Sequence, residues 1–135
     1  MATTAPAKAP RRYSSRWRIW SRLLLVLAVL IALMMAYLWI TLNWSYSEGE
    51  RAGILQKFSR RGWVCKTYEG ELAMSIVPGV TPTIWNFSVR DDGVARQMDQ
   101  AIGKRVVLHY TEHKGIPSDC FGETSYFVDS VRIIE

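Results

Sequence analysis

The sequence predicts a transmembrane helix followed by a small, mostly β domain in the order β-β-β-α-β-β, which is the order of an OB-fold barrel. Three observations support this. Residues 23–42 carry no charge and are almost wholly apolar. Five later segments are rich in β-branched and aromatic residues, as strands are. One amphipathic segment separates the third of these from the fourth. An SH3-like barrel is the alternative.

The apolar run at residues 23–42 has the length of a membrane span. Twenty helical residues extend about 30 Å, the thickness of the hydrocarbon core. A helix this apolar in a soluble protein would need burial on all sides, and the rest of this short chain is too small to provide it. Aromatic residues flank the run, as in interfacial belts; they are Trp17, Trp20, Tyr37, Trp39 and Trp44.

Charge is segregated along the chain and predicts the orientation of the helix. Residues 1–42 hold six basic residues and no acid, which leaves 11 basic and 12 acidic residues in the remainder. The positive-inside bias therefore places residues 1–22, a partly disordered basic tail, in the cytoplasm and the C-terminal domain across the membrane. A cleaved signal peptide is the rival interpretation; the run exceeds a usual h-region and no A-x-A site follows. Cleavage of the anchor is left open.

Three alanines repeat every fourth residue of the predicted helix, at Ala28, Ala32 and Ala36. Small residues at this spacing let a second helix approach closely. The face therefore predicts packing against another membrane protein or a second copy of the chain. The competing explanation is that alanine is simply common in membrane helices.

The domain predicted at residues 51–135 follows a polar linker at residues 43–50. The expected strands are residues 52–60, 62–74, 83–90, 104–112 and 124–134. A glycine-containing turn at Arg60–Gly62 joins the first two. Asp91 or Asp92 is expected to cap the helix, and Gly103 to end it. Neither face of the second strand is purely apolar, which predicts a bulge or strong coiling near Gly70.

Cys65 and Cys120 are the two cysteines of the chain, and both fall in the predicted exported domain. In an oxidising compartment two such cysteines most simply form a disulfide. Closing a loop of this size is worth about 4 kcal/mol. A pair of free buried thiols, or a redox or metal role, are the alternatives, although the sequence contains no CxxC.

Other polar residues give weak signals for chemistry. His109 and His113 would lie about 13 Å apart on a strand, too far to share one metal ion. Glu69 and Glu71 would be same-face neighbours about 7 Å apart, a spacing compatible with acid–base catalysis but also with a solvated strand face. The sequence has no P-loop, no dinucleotide fingerprint and no nucleophile elbow. We therefore predict no catalytic residues, no metal and no cofactor.

The predicted binding surface follows the usual ligand face of OB barrels, which lies on strands two and three and the loops between strands one and two and between strands four and five. The candidates are Arg60, Arg61, Trp63, Lys66, His113, Lys114 and Phe121. Ordinary surface charge and core aromatics are the competing explanation for each one. The expected partners are the lipid bilayer and either another membrane protein or the protein itself, and export argues for no nucleic acid.

Four blocks together resemble a known family: "SEGERAGILQKFSRRGWVCKTYEGEL", "WNFSV", "GKRVVLHY" and "CFGETSYFV". The chain resembles small bacterial membrane-anchored proteins of unknown function, some of which carry the label 6-phosphogluconate dehydrogenase. That label conflicts with the sequence, because a dinucleotide fold with its glycine fingerprint is absent. The resemblance implies a bacterial membrane protein. Together with the orientation predicted from charge, it places the chain in the inner membrane with the domain in the periplasm or otherwise outside the cytoplasm. The predicted function is a single-pass protein presenting a non-catalytic binding or assembly module. The alternatives are an accessory subunit of a larger membrane complex and a small thiol-redox or carboxylate enzyme.

Overall fold

The computed structural model describes residues 15–74 and 77–134 of the chain. It contains two helices, α1 (Ser15–Asn43) and α2 (Asp92–Ala101), within these residues. The strands are β1 (Ser47–Arg61), β2 (Thr67–Ala73), β3 (Ile84–Val89), β4 (Arg105–Glu112) and β5 (Tyr126–Ile133). A boundary between two compact units falls after Ala36, so that residues 37–43 of α1 belong with the strands. The order β-β-β-α-β-β is as predicted.

Helix α1 is long and apolar enough to cross a membrane by length and composition. It contains the predicted span at residues 23–42, and none of its 29 residues is buried. Residues 15–22 of the predicted tail are helical, while residues 1–14 of that tail lie outside the described part of the chain. A signal sequence would satisfy the same criteria of length and hydropathy.

The five strands form a closed barrel in the order β1-β2-β3-β5-β4. Closure is possible because β1 is long: its first half pairs with β4 and its second half with β2. The ladder shifts register between Leu55 and Lys57, where β1 passes from one partner to the other. A bulge at such a point bends a strand and increases its twist. The bulge predicted near Gly70 is therefore wrong, since Gly70 sits in a regular ladder opposite Phe58 and Phe87.

Gly70 is needed for close packing and not for a bend. A Cβ at this position would run into the ring of Phe87, which is fully buried at the centre of the barrel. The remaining core comes from inward-facing strand residues and from one face of α2; its members include Leu55, Leu72, Trp85, Val89, Ala95, Met98, Ala101, Val106, Leu108 and Val128. Helix α2 thus packs its apolar side on the barrel core.

The ends of α2 match the sequence prediction. The Asp91 carboxylate accepts a hydrogen bond from the backbone N–H of Val94 at 2.9 Å, which caps the helix. Gly103 follows the last turn with a φ of +78°, a conformation that favours glycine.

Two strands begin five residues away from the predicted positions. Strand β1 begins at Ser47, inside the segment 43–50 expected to be a linker, because polar residues there pair with β4. Strand β2 begins at Thr67 and not at Gly62, so residues 62–66 form a loop. Gly62 has a φ of +138°, and a Cβ there would meet the carbonyl oxygen of Cys65. The chain therefore turns back at Gly62, which is incompatible with a strand continuing from that residue.

Candidate binding surface at the disulfide-linked hairpin

The loop between β1 and β2 is fastened to the loop between β4 and β5 by a covalent bond. Cys65 and Cys120 form a disulfide with their Cα atoms 4.9 Å apart, 55 residues apart in sequence. This agrees with the predicted pairing. Beside it the Arg61 guanidinium forms an ion pair with the Glu123 carboxylate at 2.6 Å. The two loops are therefore held together at two points.

The hairpin tip, which we define as Trp63 and Val64, projects into solvent. The exposed fractions of these residues are 102% and 96%, the highest among the exposed large apolar residues of the described chain. The disulfide follows directly at Cys65, so the tip is held in place although its side chains touch little of the barrel. A loop that displays two apolar side chains on a fixed base is typical of an interaction surface and not of a core.

A basic cleft of about 230 Å³ lies next to the tip. Its walls include the side chains of Arg60, Lys66 and Arg90, with Tyr68 and Phe121. All three basic residues are exposed, and none makes an ion pair with an acid among the described residues.

Cation–π contacts orient the two arginines of this cleft. The Arg60 guanidinium lies 5.6 Å from the Tyr68 ring, and that of Arg90 lies 5.5 Å from the Phe127 ring. Aspartate 92 is the acid that lines the cleft, so the excess charge there is positive. The cleft can therefore attract an anion.

The outer face of β1, β2 and β3, which OB barrels commonly use for ligands, has a different character. A groove of about 190 Å³ there is lined by Lys57, Ser59, Arg61, Glu69, Gly70, Glu71, Asn86, Glu123 and Thr124. Its two cations are engaged by carboxylates, Lys57 by Glu71 at 3.4 Å and Arg61 by Glu123. No aromatic side chain lines this groove. The outer face is thus polar and slightly acidic.

Glu69 is buried within this face and is surrounded by hydrogen-bond donors. One carboxylate oxygen accepts from the Thr67 hydroxyl at 2.7 Å and from the backbone N–H of Glu123 at 3.0 Å. The other accepts from the Ser88 hydroxyl at 2.7 Å. Three donors satisfy the buried charge and link β2, β3 and the β4–β5 loop. These hydrogen bonds give Glu69 a structural role.

His113 was predicted to be part of the contact surface, and the structure contradicts this. The residue is only 6% exposed, and its Nδ1 lies 3.0 Å from the backbone oxygen of Thr41. Its Nε2 lies 3.2 Å from the Thr111 hydroxyl. The ring therefore links the end of α1 to the barrel. Nearby, the Tyr37 hydroxyl donates a 2.7 Å hydrogen bond to the backbone oxygen of Gly115.

The remaining predicted residues are not among those that line this cleft. Lys114 is exposed and places its ammonium 3.8 Å from the centroid of the Tyr46 ring. Ala28, Ala32 and Ala36 are exposed on α1. His109 contacts Asp129 at 2.7 Å. Among residues 15–74 and 77–134, no group of three or more His, Cys, Asp or Glu residues could hold a metal ion.

Sequence reasoning missed Tyr68 and Arg90 as parts of the cleft. Neither residue is among the predicted contact residues, and Arg90 ends the third predicted strand, 22 residues after Tyr68. The register brings them together, because Tyr68 pairs with Val89 next to Arg90. A basic residue directly after the third strand was the available signal.

The described elements define a small OB-like barrel carried at the end of an apolar helix. Residues 44–132 match the model of a protein family described as a domain of unknown function, DUF8785, and the chain belongs to this family. Comparison with curated proteins returned no match. The family resemblance predicted from the sequence is thereby confirmed at the level of an uncharacterised family.

A solved structure similar to the barrel is the mitochondrial single-stranded DNA binding protein Rim1 from S. cerevisiae. The TM-score is 0.51 at 9% identity, and the match covers 68% of this chain and 97% of that protein. At this identity the likeness shows the fold alone, which agrees with the predicted OB-like barrel. It also corrects our exclusion of nucleic acid as a partner. That exclusion is wrong, because this fold is found in a protein that binds DNA.

Proposed function

We propose that this protein is a single-pass inner-membrane protein that presents a small, non-catalytic OB-like barrel outside the cytoplasm as a binding or assembly module. The observation that carries the proposal is the exposed apolar helix α1, whose last residues are bonded directly to the barrel. A leader removed after export would have no need of such bonds. The disulfide supports an oxidising compartment for the barrel.

The bonds at the end of α1 favour an anchor that stays attached. Tyr37 and Thr41 lie inside the predicted span and bond Gly115 and His113 of the barrel. Cleavage after residue 42 would remove both helix partners and leave the buried His113 without its backbone acceptor. The loss of a partner by a buried group such as the His113 ring costs about 1–3 kcal/mol. The uncleaved chain is therefore the stable form.

The orientation can be tested with protease in a bacterial host. We expect protease added to spheroplasts to degrade the barrel, while the barrel in inverted vesicles stays protected. The same samples should show full-length chain in the membrane fraction and cysteines that react with an alkylating reagent only after reduction. Protection of the barrel in spheroplasts, together with its degradation in inverted vesicles, would contradict the proposed topology.

A non-catalytic role is supported by how the candidate groups are used. Glu69 is buried under three donors, and Glu71 is paired with Lys57. Both cysteines are in the disulfide. Each group considered for catalysis thus has a structural partner within the described chain. These structural uses support a non-catalytic role over the alternative of a thiol-redox or carboxylate enzyme.

The exposed alanine face of α1 supports the alternative of an accessory subunit in a larger membrane complex. Substituting Ala28, Ala32 and Ala36 with leucine should block close helix approach and reduce co-purification of a helix partner by more than about tenfold. Leucine substitution of Ile19, Val26 and Ile31, which are exposed on other faces of α1 and already carry large side chains, is the matched control. Equal recovery from both variants would remove this alternative.

Nucleic acid is a second candidate ligand, favoured by the likeness to Rim1 and by Tyr68 lying among three basic side chains. Stacking aromatics beside cations are how barrels of this kind hold single strands. The outer face lacks this combination, so any strand would be expected in the basic cleft. The experiment below includes an oligonucleotide for this reason.

A further inference from the structure

The hairpin tip and the basic cleft form one continuous surface. Trp63 and Val64 are joined to the cleft through Lys66 on one side and Arg60 on the other. Apolar side chains that protrude between cations match the two layers of an anionic membrane surface, the phosphate headgroups and the acyl boundary below them. Tryptophan in particular prefers that boundary, because its ring is apolar and its N–H is polar.

Covalent and hydrogen-bonded connections limit the distance between the hairpin tip and the end of α1. Tyr37, at the predicted interfacial end of the span, bonds Gly115 in the β4–β5 loop. Gly115 and Cys120 are five positions apart in the chain, a reach of at most about 18 Å, and Trp63 and Cys65 are two positions apart, at most about 7 Å. The Cα atoms of the disulfide are 4.9 Å apart. Trp63 therefore lies within about 30 Å of the helix contact, on a barrel that begins at Ser47, four residues after α1 ends.

We propose that the hairpin tip and the basic cleft are a second membrane-contact site, in which Arg60, Lys66 and Arg90 bind the phosphates of anionic phospholipids while Trp63 and Val64 enter the interface. This inference rests on the proposed function, because the anchor holds the barrel at high effective concentration next to the bilayer. Lipid contacts that are too weak to bring a free barrel domain to the membrane are then strong enough to hold the tethered domain against it.

Lipid suits the tip better than nucleic acid does. Val64 has no π system to stack on a base, yet it is 96% exposed beside Trp63. A strand crossing the cleft toward the outer face of the barrel would meet Glu71 and Glu123. A headgroup needs only the cleft itself.

The test uses the full-length protein reconstituted in vesicles, with Val64→p-benzoylphenylalanine as a photo-crosslinker. One vesicle set is phosphatidylcholine, and the other contains 30 mol% phosphatidylglycerol. We expect a lipid adduct on the anionic vesicles that is several-fold weaker on the neutral ones and is suppressed by 0.5 M salt. Replacing Arg60, Lys66 and Arg90 with serine should lower the adduct by about fivefold per cation removed. Serine at Lys104, Arg105 and Arg132, which are exposed elsewhere on the barrel, is the charge-matched control.

Carbonate extraction and a single-stranded oligonucleotide separate the other outcomes. A protein that resists carbonate extraction but forms no lipid adduct would overturn this inference and leave the anchor intact. Release by carbonate would overturn the anchor and this inference with it. Equal adduct on neutral vesicles, or an equal loss in the charge-matched control, would contradict the role of the cleft. Displacement of the lipid adduct by the oligonucleotide at equal phosphate concentration would assign the cleft to nucleic acid and overturn the proposal.

Discussion

Replacing Cys65 and Cys120 together with serine is expected to lower the free energy of unfolding of the barrel by about 4 kcal/mol. The disulfide closes a loop of 55 residues, and the entropy that this link removes from the unfolded chain sets the magnitude. For a barrel of fewer than 100 residues this is a large part of a total of about 5–15 kcal/mol. Pulse proteolysis of the full-length protein in a urea series, in detergent, measures the change.

Reduction of the wild-type protein provides the control for the cysteine substitutions. If the covalent link is responsible, reduced wild type and the double serine variant should have the same urea midpoint, and adding reductant to the variant should change nothing. A wild-type urea midpoint that does not change when reductant is added would contradict the prediction. The ion pair between Arg61 and Glu123 spans the same two loops but cannot replace the disulfide, because exposed pairs contribute under about 1 kcal/mol.

The element order could be predicted from the sequence because it depends on local patterns. The alternation of Trp85, Phe87 and Val89 identifies β3, and Asp91 with Gly103 bounds α2. The bulge could not be placed in this way. It lies at Gln56, close to the point where β1 stops pairing with β4 and begins to pair with β2. No residue pattern within β1 indicates this change of partner. Gly70 looked like the irregular position, yet its role is to make room for Phe87, which is 17 residues away in sequence.

The candidate site was predictable only in part, for a similar reason. The loops could be named from the OB order, so Arg60, Trp63, Lys66 and Phe121 were predicted in the region that holds the hairpin tip and the basic cleft. The use of each side chain depends on tertiary contacts. His113 is four residues from His109 and similar in sequence context, but one lies beneath the end of α1 and the other contacts an exposed carboxylate. The two histidines therefore differ in burial and contacts, which their sequence context does not indicate.

The hydrogen-bonded cluster around Glu69 depends on strand register between residues that are distant in sequence. Its donors come from positions 2, 19 and 54 residues away, so no sequence spacing indicates it. In the sequence Glu69 and Glu71 form a symmetrical pair of candidate acids. In the barrel one is buried and fully hydrogen-bonded, while the other is half exposed and paired with Lys57. The structural role of Glu69 predicts a large and specific effect of its removal.

Glu69→Ala is expected to lower the free energy of unfolding by about 3–5 kcal/mol. The buried Thr67 hydroxyl and the partly buried Glu123 N–H would lose their acceptor, and each such loss costs about 1–3 kcal/mol. Ser88 would be less affected, because its hydroxyl can still donate to Thr124 at 2.9 Å. Urea unfolding of the full-length protein, read by pulse proteolysis, measures the change. Amide exchange at Glu123 should increase, since that N–H is released.

Two variants separate the hydrogen bonds of Glu69 from its charge and from general effects of losing a carboxylate. Glu69→Gln keeps one oxygen for the Thr67 and Glu123 donors and should cost less than Glu69→Ala. Glu71→Ala removes an exposed partner of Lys57 and should cost under about 1 kcal/mol. A similar loss for both alanine variants would mean that the β4–β5 loop is not held by Glu69. The disulfide would then be left as the principal link between that loop and β2, and the placement of the hairpin tip would depend on redox state.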